Sequence, residues 1–299
     1  MGKRVVMGPI NRNLEMLAGF LIPDRLYNNF RFLKHFGRFP NYKNPTSLNE
    51  KIQWLKLYDR DPQKTFCADK ILVRKYAIEK IGKDISVPLL FHSDNLDDLT
   101  QEVLPDIPFV IKTNHDTGSV YVFDNKSDCD LEKLKFLLKR HLDRNYFYKS
   151  REFQYKRIHR QFLIEEKLVS KDGEGLIEYD FHCSKGKVLF LTYDNTKNKV
   201  RQRKVLNEDY SDAGFTYSYR SKAAEYKGAL VKPKNFDRML DYAKKLSQDF
   251  LYVRVDFYYE SDEIFLGELT FHPGGGLSRF VPNSFDYSLG EKIKLPLSL

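Results

Sequence analysis

The chain has 299 residues, of which 30% are charged and 41% are hydrophobic. This composition is that of a folded protein, and the length favours about two subdomains over a small disulfide-stapled scaffold. No apolar run reaches the ~18 residues that a membrane-spanning helix needs. Lysine and arginine number 50 against 41 aspartates and glutamates, an excess of nine, which favours an anionic partner such as a nucleotide, an acidic sugar, a lipid or a nucleic acid.

The cysteines and the first residues indicate the cellular compartment. Cys67, Cys129 and Cys183 are far apart and lack the spacing of metal ligands. The first residues lack the apolar stretch of a signal peptide. These features predict a cytoplasmic protein without a zinc site.

Helical patterns dominate the N-terminal part of the chain. Apolar residues recur at three- and four-residue steps over about the first 60 residues, including the stretch 12–22, with breaks at Pro23 and Pro40. Thr46 or Ser47 is expected to cap a helix at its start. Further helices are predicted over residues 68–81, 130–144 and 234–248.

Strand-like runs follow in the second half. They cover residues 108–112, 119–123, 161–168, 187–193, 251–259 and 264–270. Strands that alternate with helices predict a layered α/β or α+β protein.

The last two strand-like runs predict a β-hairpin. Alternation places Arg254 and Asp256 on the same face. With a three-residue loop, Asp256 lies opposite Glu268, and Arg254 lies opposite Thr270. A two-residue turn would instead place Glu268 opposite Val255.

The paired carboxylates of Asp256 and Glu268 suggest a metal site. Two carboxylates at this distance repel each other unless a cation lies between them, and hard oxygen ligands suit Mg²⁺. The alternative is a solvated hairpin face on which each acid pairs with a lysine or an arginine. The glycines that follow at 274–276 let backbone N–H groups approach an anion, so both interpretations stay open.

A second candidate is the strand–loop–strand segment around Lys112. A lysine at a strand exit can hold a phosphate while the amides of a loop containing Gly118 and Ser119 cover the phosphate chain. The alternative is an ordinary hairpin with a surface lysine. His115 in this loop is either a structural histidine or a functional one. Neither a G-x-x-x-x-G-K-[ST] nor a G-x-G-x-x-G motif occurs, which argues against a P-loop or a simple Rossmann protein.

Two further segments have polar residues at informative places. The apolar strand over 161–168 ends in Glu165 and Glu166, which suits either an adenine edge or solvent. Arg201, Arg203 and Lys204 form a basic run that suits a carboxylate or phosphate substrate, or a solvated loop.

Five segments together carry a family resemblance. They are YKNPTSLNEKIQWLKLYD at 42–59, ADK at 68–70, FVIKTNH at 109–115, IEE at 164–166 and GELTFHPGGGL at 267–277. In this order, and over roughly residues 20–290, they resemble the TupA-type ATP-grasp proteins of bacterial surface polysaccharide biosynthesis.

The resemblance implies an α+β protein with the ATP-grasp fold, in which two α+β subdomains grip ATP behind a helical N-terminal region. The expected units are residues 1–95, the helical region and the segment before the grasp; 96–170, with the phosphate loop and adenine hinge; and 171–299, with the metal-binding hairpin.

The resemblance also implies roles for individual residues. Phosphate contacts fall to Lys70, Lys112, Gly118 and Ser119. Adenine contacts are expected from Glu165 and Glu166 and from the backbone around Lys167 and Leu168. Asp256 and Glu268 would bind Mg²⁺, and Arg254 would be the catalytic arginine. Apart from the resemblance, the residue types themselves suggest substrate contacts for His115, Arg201, Arg203, Lys204, Gly274 and Gly275.

The chain departs from the family pattern in two places. Asp116-Thr-Gly stands where Gly-Ser-Gly is usual, and a carboxylate near phosphates is unfavourable unless it turns away or meets a metal. Glu178-Tyr-Asp180-Phe stands where Asp-Tyr-Lys-Phe is usual, which removes a cation. Thr270 occupies the place where many ATP-grasp enzymes have a metal-binding asparagine, although threonine is usual in this family.

The implied activity is ATP-dependent amide formation, with ATP and Mg²⁺ as cofactors. A uronic-acid carboxylate of a surface glycan, or of a sugar-nucleotide precursor, would be joined through an acyl phosphate to an amino acid or small amine. The alternatives are an ATP-grasp kinase that phosphorylates a glycan hydroxyl, a sugar-nucleotide glycosyltransferase and a non-enzymatic binder. Peripheral contact with membrane-bound glycan machinery at the inner face of the membrane is an open expectation, whereas no motif supports a nucleic-acid partner.

Overall fold

The computed structural model describes residues 21–170, 175–197, 200–218 and 223–297. The helix expected over residues 12–22 therefore lies almost entirely outside the described residues. Within the described ranges, no helix is long and apolar enough to cross a membrane.

Short helices build the N-terminal part. They are α1 (Asp24–Phe36), α2 (Leu48–Tyr58), α3 (Gln63–Ala68) and α4 (Val73–Ile81). Helix α2 begins at the predicted place, because Ser47 and Glu50 form a capping box in which each side chain accepts a hydrogen bond from the other's backbone N–H.

The single helix predicted over residues 68–81 is wrong, because a turn separates α3 from α4. Asp69 ends α3 in an extended conformation, and its side chain accepts a hydrogen bond of 2.8 Å from the N–H of Ile71. Aspartate often makes this local bond in competition with the helix. The break leaves Lys70 outside both helices.

A small antiparallel sheet has the strand order β1-β4-β2-β3. Its strands are β1 (Leu89–Ser93), β2 (Phe109–Thr113), β3 (Val120–Phe123) and β4 (Phe162–Glu166). Helices α5 (Leu131–Leu142) and α6 (Phe147–Ser150) lie between β3 and β4 in sequence, and α5 packs against the sheet around a core that contains Phe109 and Leu138. The pairing of β1 with β4 joins the segment 1–95 to the segment 96–170.

A larger sheet has the strand order β11-β10-β5-β6-β7-β9. Its strands are β5 (Ile177–Ser184), β6 (Lys187–Lys197), β7 (Val200–Leu206), β9 (Ala224–Glu225), β10 (Val253–Glu260) and β11 (Glu263–Thr270). Strands β8 (Thr216–Ser218) and β12 (Arg279–Val281) form a separate pair. Helix α7 (Phe236–Ser247) covers one face of the large sheet, and α8 (Ser284–Glu291) follows β12.

The N-terminal helices are part of the main body of the molecule. Leu55 of α2 and Leu289 of α8 belong to one hydrophobic cluster, which also includes Phe190 of the large sheet. Glycine is required at 290, because a Cβ there would lie 2.1 Å from the backbone oxygen of Thr46. Helix α2 is therefore fixed against the C-terminal segment.

The hairpin of β10 and β11 has the register at Asp256 that a three-residue loop predicts, although its connection is the alternative two-residue turn. Ser261 and Asp262 form a two-residue turn, with φ angles of +54° and +62°. Asp256 nevertheless lies opposite Glu268, because the register shifts by one residue at a β-bulge next to Gly267. The turn and the bulge have compensating effects on the register.

Candidate active site

The two sheets face each other across a cleft with a volume of about 370 Å³. Ten of the residues predicted for the site line this cleft: Lys70, Lys112, Gly118, Ser119, Arg201, Arg203, Arg254, Asp256, Glu268 and Gly274. Residues that had no predicted site role also line it, among them Thr113, Val120, Tyr217, Tyr258 and Gly267. Asp116, Glu178 and Asp180, the carboxylates at which the chain departs from the family pattern, line it as well. The cleft therefore brings together segments that are distant in sequence.

The hairpin wall of the cleft is rich in carboxylates. Arg254 donates two hydrogen bonds to Asp256, of 2.6 and 2.5 Å, and lies 3.8 Å from Glu268. The Thr270 hydroxyl lies 3.2 Å from Asp256 and 3.0 Å from Glu268. Burial, together with the charges of Asp180 and Glu268, raises the pKa of Asp256 despite the contact with Arg254.

These residues fit a magnesium ion. Asp256 and Glu268 lie directly opposite each other, and Asp180 lies opposite Asp256 on its other side. Within the described ranges, no group of three or more His, Cys, Asp or Glu side chains could hold a metal. Mg²⁺ commonly takes one or two carboxylates and completes its shell with water and substrate phosphates, so a carboxylate pair at the wall of a cleft is an adequate donor set.

Lysines define the opposite wall. Lys112 on β2 pairs with Glu165, which also accepts a hydrogen bond of 2.5 Å from Arg74. The ammonium group of Lys70 donates to the backbone oxygen of Asp116 at 2.7 Å. Burial lowers the pKa of Lys70, and the positive charge of Lys112 lowers it further. An incoming polyanion would reverse this effect.

The loop between β2 and β3 is closed by a network around Asp116. The Asp116 carboxylate accepts hydrogen bonds from the hydroxyls of Thr113 and Ser119, both at 2.5 Å, and lies 2.6 Å from Nδ1 of His141. Burial would raise the pKa of Asp116, but the hydrogen bonds from His141, Ser119 and Thr113 lower it below its usual value. The unusual carboxylate, in a residue that lines the cleft, is therefore bonded within the protein to Thr113, Ser119 and His141.

The network also involves Ser119 and His115. The Ser119 hydroxyl donates to Asp116, and Ser119 lines the cleft although it is only 1% exposed. His115 is completely buried, and its Nε2 lies 3.2 and 3.1 Å from the backbone oxygens of His141 and Arg144. His115 is a structural histidine that holds the loop to the end of α5.

The predicted adenine hinge is also largely committed to internal contacts. The Glu165 carboxylate is held by Lys112 and Arg74 and is 6% exposed. The N–H of Glu166 donates to the oxygen of Pro88 at 3.0 Å, and the N–H of Lys167 donates to that of Pro108 at 2.9 Å. None of the four predicted hinge residues lines the cleft, and Leu168 is half-buried beside them. The Glu165 side chain therefore pairs with Lys112 and Arg74 in this structure.

The basic run lies on strand β7 and is divided between its two faces. Arg201 and Arg203 point to the cleft, where both donate to Asp194 at distances of 2.7 to 3.0 Å. Lys204 points to the other face, 2.5 Å from Asp212, so its assignment to the substrate site is wrong. Arg201 keeps a side-chain exposure of 40% and is the more accessible of the two arginines.

Strand β5 adds two carboxylates that the sequence did not place in the site. Glu178 and Asp180 share the cleft face, and Arg201 donates to Glu178 at 3.1 Å. Burial, and after it the charge of Asp180, raises the pKa of Glu178 to about 7. The alternation of β5 would have suggested both positions, but no strand was predicted over residues 177–184.

An apolar strip on the small sheet borders the lysine wall. Val110 lies opposite Val122, and Lys112 lies opposite Val120. The side chains of Val120 and Val122 are about half exposed, at 49% and 54%. Tyr258 lines the cleft from the hairpin wall, so a flat apolar ring would find surfaces on both sides.

A polar cleft between two α+β units, with lysines on one wall and an arginine with paired carboxylates on the other, is typical of the ATP-grasp enzymes. The TupA-like ATP-grasp family model matches residues 50–294, and the chain belongs to this family. The protein is accordingly an ATP-grasp enzyme that uses ATP.

Several solved structures are similar to the chain at low identity. The D-alanine–D-alanine ligase from Bacillus anthracis is 14% identical, with a TM-score of 0.41, and the match covers 76% of this chain and 67% of that one. The same ligase from Helicobacter pylori is 16% identical, with a TM-score of 0.43 and coverages of 85% and 68%. The L-amino acid ligase from Bacillus licheniformis is 12% identical, with a TM-score of 0.42 and coverages of 77% and 48%. No protein of curated function matches the chain.

Proposed function

We propose that the protein is an ATP-dependent carboxylate–amine ligase. Its substrates would be a uronic-acid carboxylate of a surface glycan or glycan precursor and an amino acid or small amine. The observation that supports this most directly is the arrangement of Arg254, Asp256 and Glu268 opposite Lys70 and Lys112 across one cleft. Membership of the TupA-like family supports the glycan setting.

The two walls would hold the nucleotide from opposite sides. In this proposal, Lys70 and Lys112 bind the phosphates, while Asp256 and Glu268 hold Mg²⁺, which neutralises charge on the phosphate chain. Arg254 exchanges part of its contact with Asp256 for the phosphoryl group that is transferred. The strip of Val110, Val120 and Val122 is assigned to the adenine ring, as a replacement for the carboxylate of the predicted hinge.

The first chemical step would be phosphoryl transfer to the carboxylate. An oxygen of the carboxylate attacks the γ-phosphorus, the bond to the β–γ bridging oxygen breaks, and ADP leaves, which produces an acyl phosphate. Arg201 is assigned to orient the carboxylate, since its side chain is 40% exposed, whereas Arg203 is held more tightly by Asp194. Positioning and charge stabilisation provide the catalysis.

The second step would be amide formation. The amine nitrogen attacks the acyl carbon, inorganic phosphate leaves, and one proton is released from the nitrogen. Glu178 is assigned as the proton acceptor, because it lines the cleft and its pKa is raised to about 7. The backbone of Gly274, which also lines the cleft, is assigned to a substrate oxygen.

Mass spectrometry tests the proposal directly. The protein is incubated with ATP, Mg²⁺, a panel of uronic-acid oligosaccharides and pooled amino acids. The expected product has the summed mass of the two substrates less one water, and its formation accompanies ADP release. A sugar that gains one phosphate instead would identify a kinase, and transfer of a sugar from a sugar nucleotide without ATP would identify a glycosyltransferase. Either result would overturn the ligase proposal.

A further inference from the structure

One face of α2 carries polar side chains that are buried in the protein interior. Asn49, Gln53 and Lys56 follow each other at helical spacing, and each is only 1% exposed. Such a polar face is normally a solvated one, so its burial needs a partner. Lys56 donates to the side-chain oxygen of Asn28 at 3.0 Å. The partner of Asn49 and Gln53 is the segment 272–278, called here the glycine turn, which follows β11 and reaches the cleft at Gly274.

Side-chain hydrogen bonds from α2 fix the glycine turn at two points. Nε2 of Gln53 donates to the backbone oxygen of Gly275 at 2.6 Å and to that of Gly276 at 3.0 Å. Asn49 donates to the oxygen of Ser278 at 2.8 Å and accepts from its N–H at 2.9 Å. These contacts join residues that are more than 220 positions apart in the chain.

The fit between helix and turn requires glycine. Gly274, Gly275 and Gly276 have φ angles of +61°, +65° and +68°, in the region that favours glycine. A Cβ on Gly276 would lie 2.8 Å from Nε2 of Gln53 and 2.9 Å from Cγ2 of Ile52. The backbone of the turn thus lies so close to α2 that a residue with a side chain would not fit at position 276.

Only one N–H of the three glycines remains available at the cleft. The N–H of Gly275 donates to the oxygen of His272, and that of Gly276 donates to the oxygen of Pro273. Within the described part of the chain, the N–H of Gly274 has no hydrogen-bond partner. A donor that must meet a substrate oxygen is effective only if its position is fixed beforehand.

We propose that Gln53 is a positioning residue for the ligation reaction: it fixes the glycine turn so that the N–H of Gly274 meets an oxygen of the substrate. This rests on the proposed function, which assigns Gly274 to the substrate. It also gives a role to the segment 42–59, which carries the family resemblance but supplies none of the residues that line the cleft.

The test compares two methionine variants of α2. Gln53→Met keeps the size of the side chain and removes both hydrogen bonds to the turn. Lys51→Met is the matched control, because Lys51 also donates to two backbone oxygens, those of Gly290 and Ile293, both at 2.6 Å, without contacting the turn. Thermal unfolding first establishes that both variants are folded, and Gln53→Glu serves as a second variant if Gln53→Met is not.

The first readout needs no substrate. Amide hydrogen exchange is measured over residues 272–278 in the wild type and in both variants. Exchange at Gly275 and Gly276 should become at least about tenfold faster in Gln53→Met and stay within about twofold in Lys51→Met, because only the first variant loosens the turn. Unchanged exchange in Gln53→Met would overturn the proposal whether or not the ligase assignment is correct.

The second readout is kinetic, with a uronic-acid oligosaccharide and the amino-acid pool as probes. Gln53→Met should lower kcat/KM for these substrates by about tenfold while KM for ATP stays within about twofold. A variant that loses both equally, or a Lys51→Met control that loses as much as Gln53→Met, would show a merely structural role and overturn the proposal. Failure of the wild type to form an amide would refute the proposed function alone, since the exchange readout is independent of it.

Discussion

The charged side chains on the two walls of the cleft have different kinds of partner. On the wall of the small sheet, Asp116 accepts hydrogen bonds from Thr113 and Ser119 and contacts His141, and Lys112 is paired with Glu165. On the hairpin wall, three carboxylates, Asp180, Asp256 and Glu268, gather around Arg254. On the small-sheet wall, these charged groups are paired or hydrogen-bonded within the protein. On the hairpin wall, the three carboxylates outnumber the one arginine.

This difference separates the tasks of preorganisation and binding. The wall around Asp116 is built before any ligand arrives, so its residues should matter for stability. The hairpin wall gathers like charges that repel each other unless a cation intervenes, so its residues should matter for binding and turnover. Variants of the two walls should therefore differ in whether they change mainly stability or mainly binding and turnover.

Removing a carboxylate from the hairpin wall should have the largest effect. Asp256→Asn and Glu268→Gln should each lower the rate of ATP turnover by at least about 10³-fold, since the cation loses a charged ligand. The free energy of unfolding should stay the same or rise in Asp256→Asn, because the pKa of Asp256 is raised and the neutral side chain is favoured. It should fall slightly in Glu268→Gln, because the charges of Lys70 and Arg254 lower the pKa of Glu268 and so favour its ionised form. ADP release and urea unfolding measure the two quantities, and normal turnover in both variants would refute the metal assignment.

Breaking the ion pair on the opposite wall should affect both binding and stability. Lys112→Met should raise KM for ATP by about tenfold or more and lower the free energy of unfolding by about 2–3 kcal/mol, because Glu165 stays buried with only Arg74 as a charged partner. Lys126→Met is the control, because Lys126 pairs with Asp106 at the surface. Equal stability losses in the two variants would contradict the account.

The network around Asp116 should make the free energy of unfolding depend on pH under acidic conditions. Asp116→Asn should lower the free energy of unfolding by about 1–2 kcal/mol at neutral pH, because a buried acceptor loses its charge. The pKa of Asp116 is below its usual 3.8 in the folded protein, so the stabilisation is present above that pH and is lost as the pH falls through the folded-state pKa. The stability difference between wild type and variant should therefore shrink under strongly acidic conditions. A difference that is constant from pH 7 to pH 2, measured by urea unfolding, would contradict this.

The bulge at Gly267 should give the smallest effect. The Cβ that Gly267→Ala adds would lie 3.1 Å from the Tyr258 ring and 3.2 Å from the backbone oxygen of Asp256, so these neighbours must shift slightly. We expect a loss of about 1 kcal/mol in the free energy of unfolding. The loss should be smaller in a Tyr258→Leu background, where the ring is absent, and an unchanged loss in the double variant would exclude the ring contact as its cause.

Local patterns were sufficient to predict much of the hairpin wall. The alternation of β10 places Arg254 and Asp256 on one face from sequence alone, and the opposition of Asp256 and Glu268 is confirmed. The connection is the alternative two-residue turn, and the bulge at Gly267 depends on backbone pairing that residue types do not determine. The register was therefore correct through two departures that cancel.

Contacts between distant segments could not be predicted in the same way. The orientation of Asp116 depends on His141, and the role of Glu165 depends on Arg74, which is 91 residues away in the chain. Strand β5 was missed because it buries polar residues, including Asp180, where a strand pattern normally shows apolar ones. A residue type indicates what a side chain can do, and its partners are determined only when the chain folds.

The dependence of nucleotide affinity on Mg²⁺ distinguishes the two walls of the cleft. Binding of a non-hydrolysable ATP analogue is measured by calorimetry with and without Mg²⁺, in the wild type, Asp256→Asn and Asp116→Asn. The account predicts that Mg²⁺ strengthens binding by about tenfold or more in the wild type and in Asp116→Asn, and has little effect in Asp256→Asn. An equal Mg²⁺ effect in all three proteins would contradict the division of the cleft into a preorganised wall and a cation-binding wall.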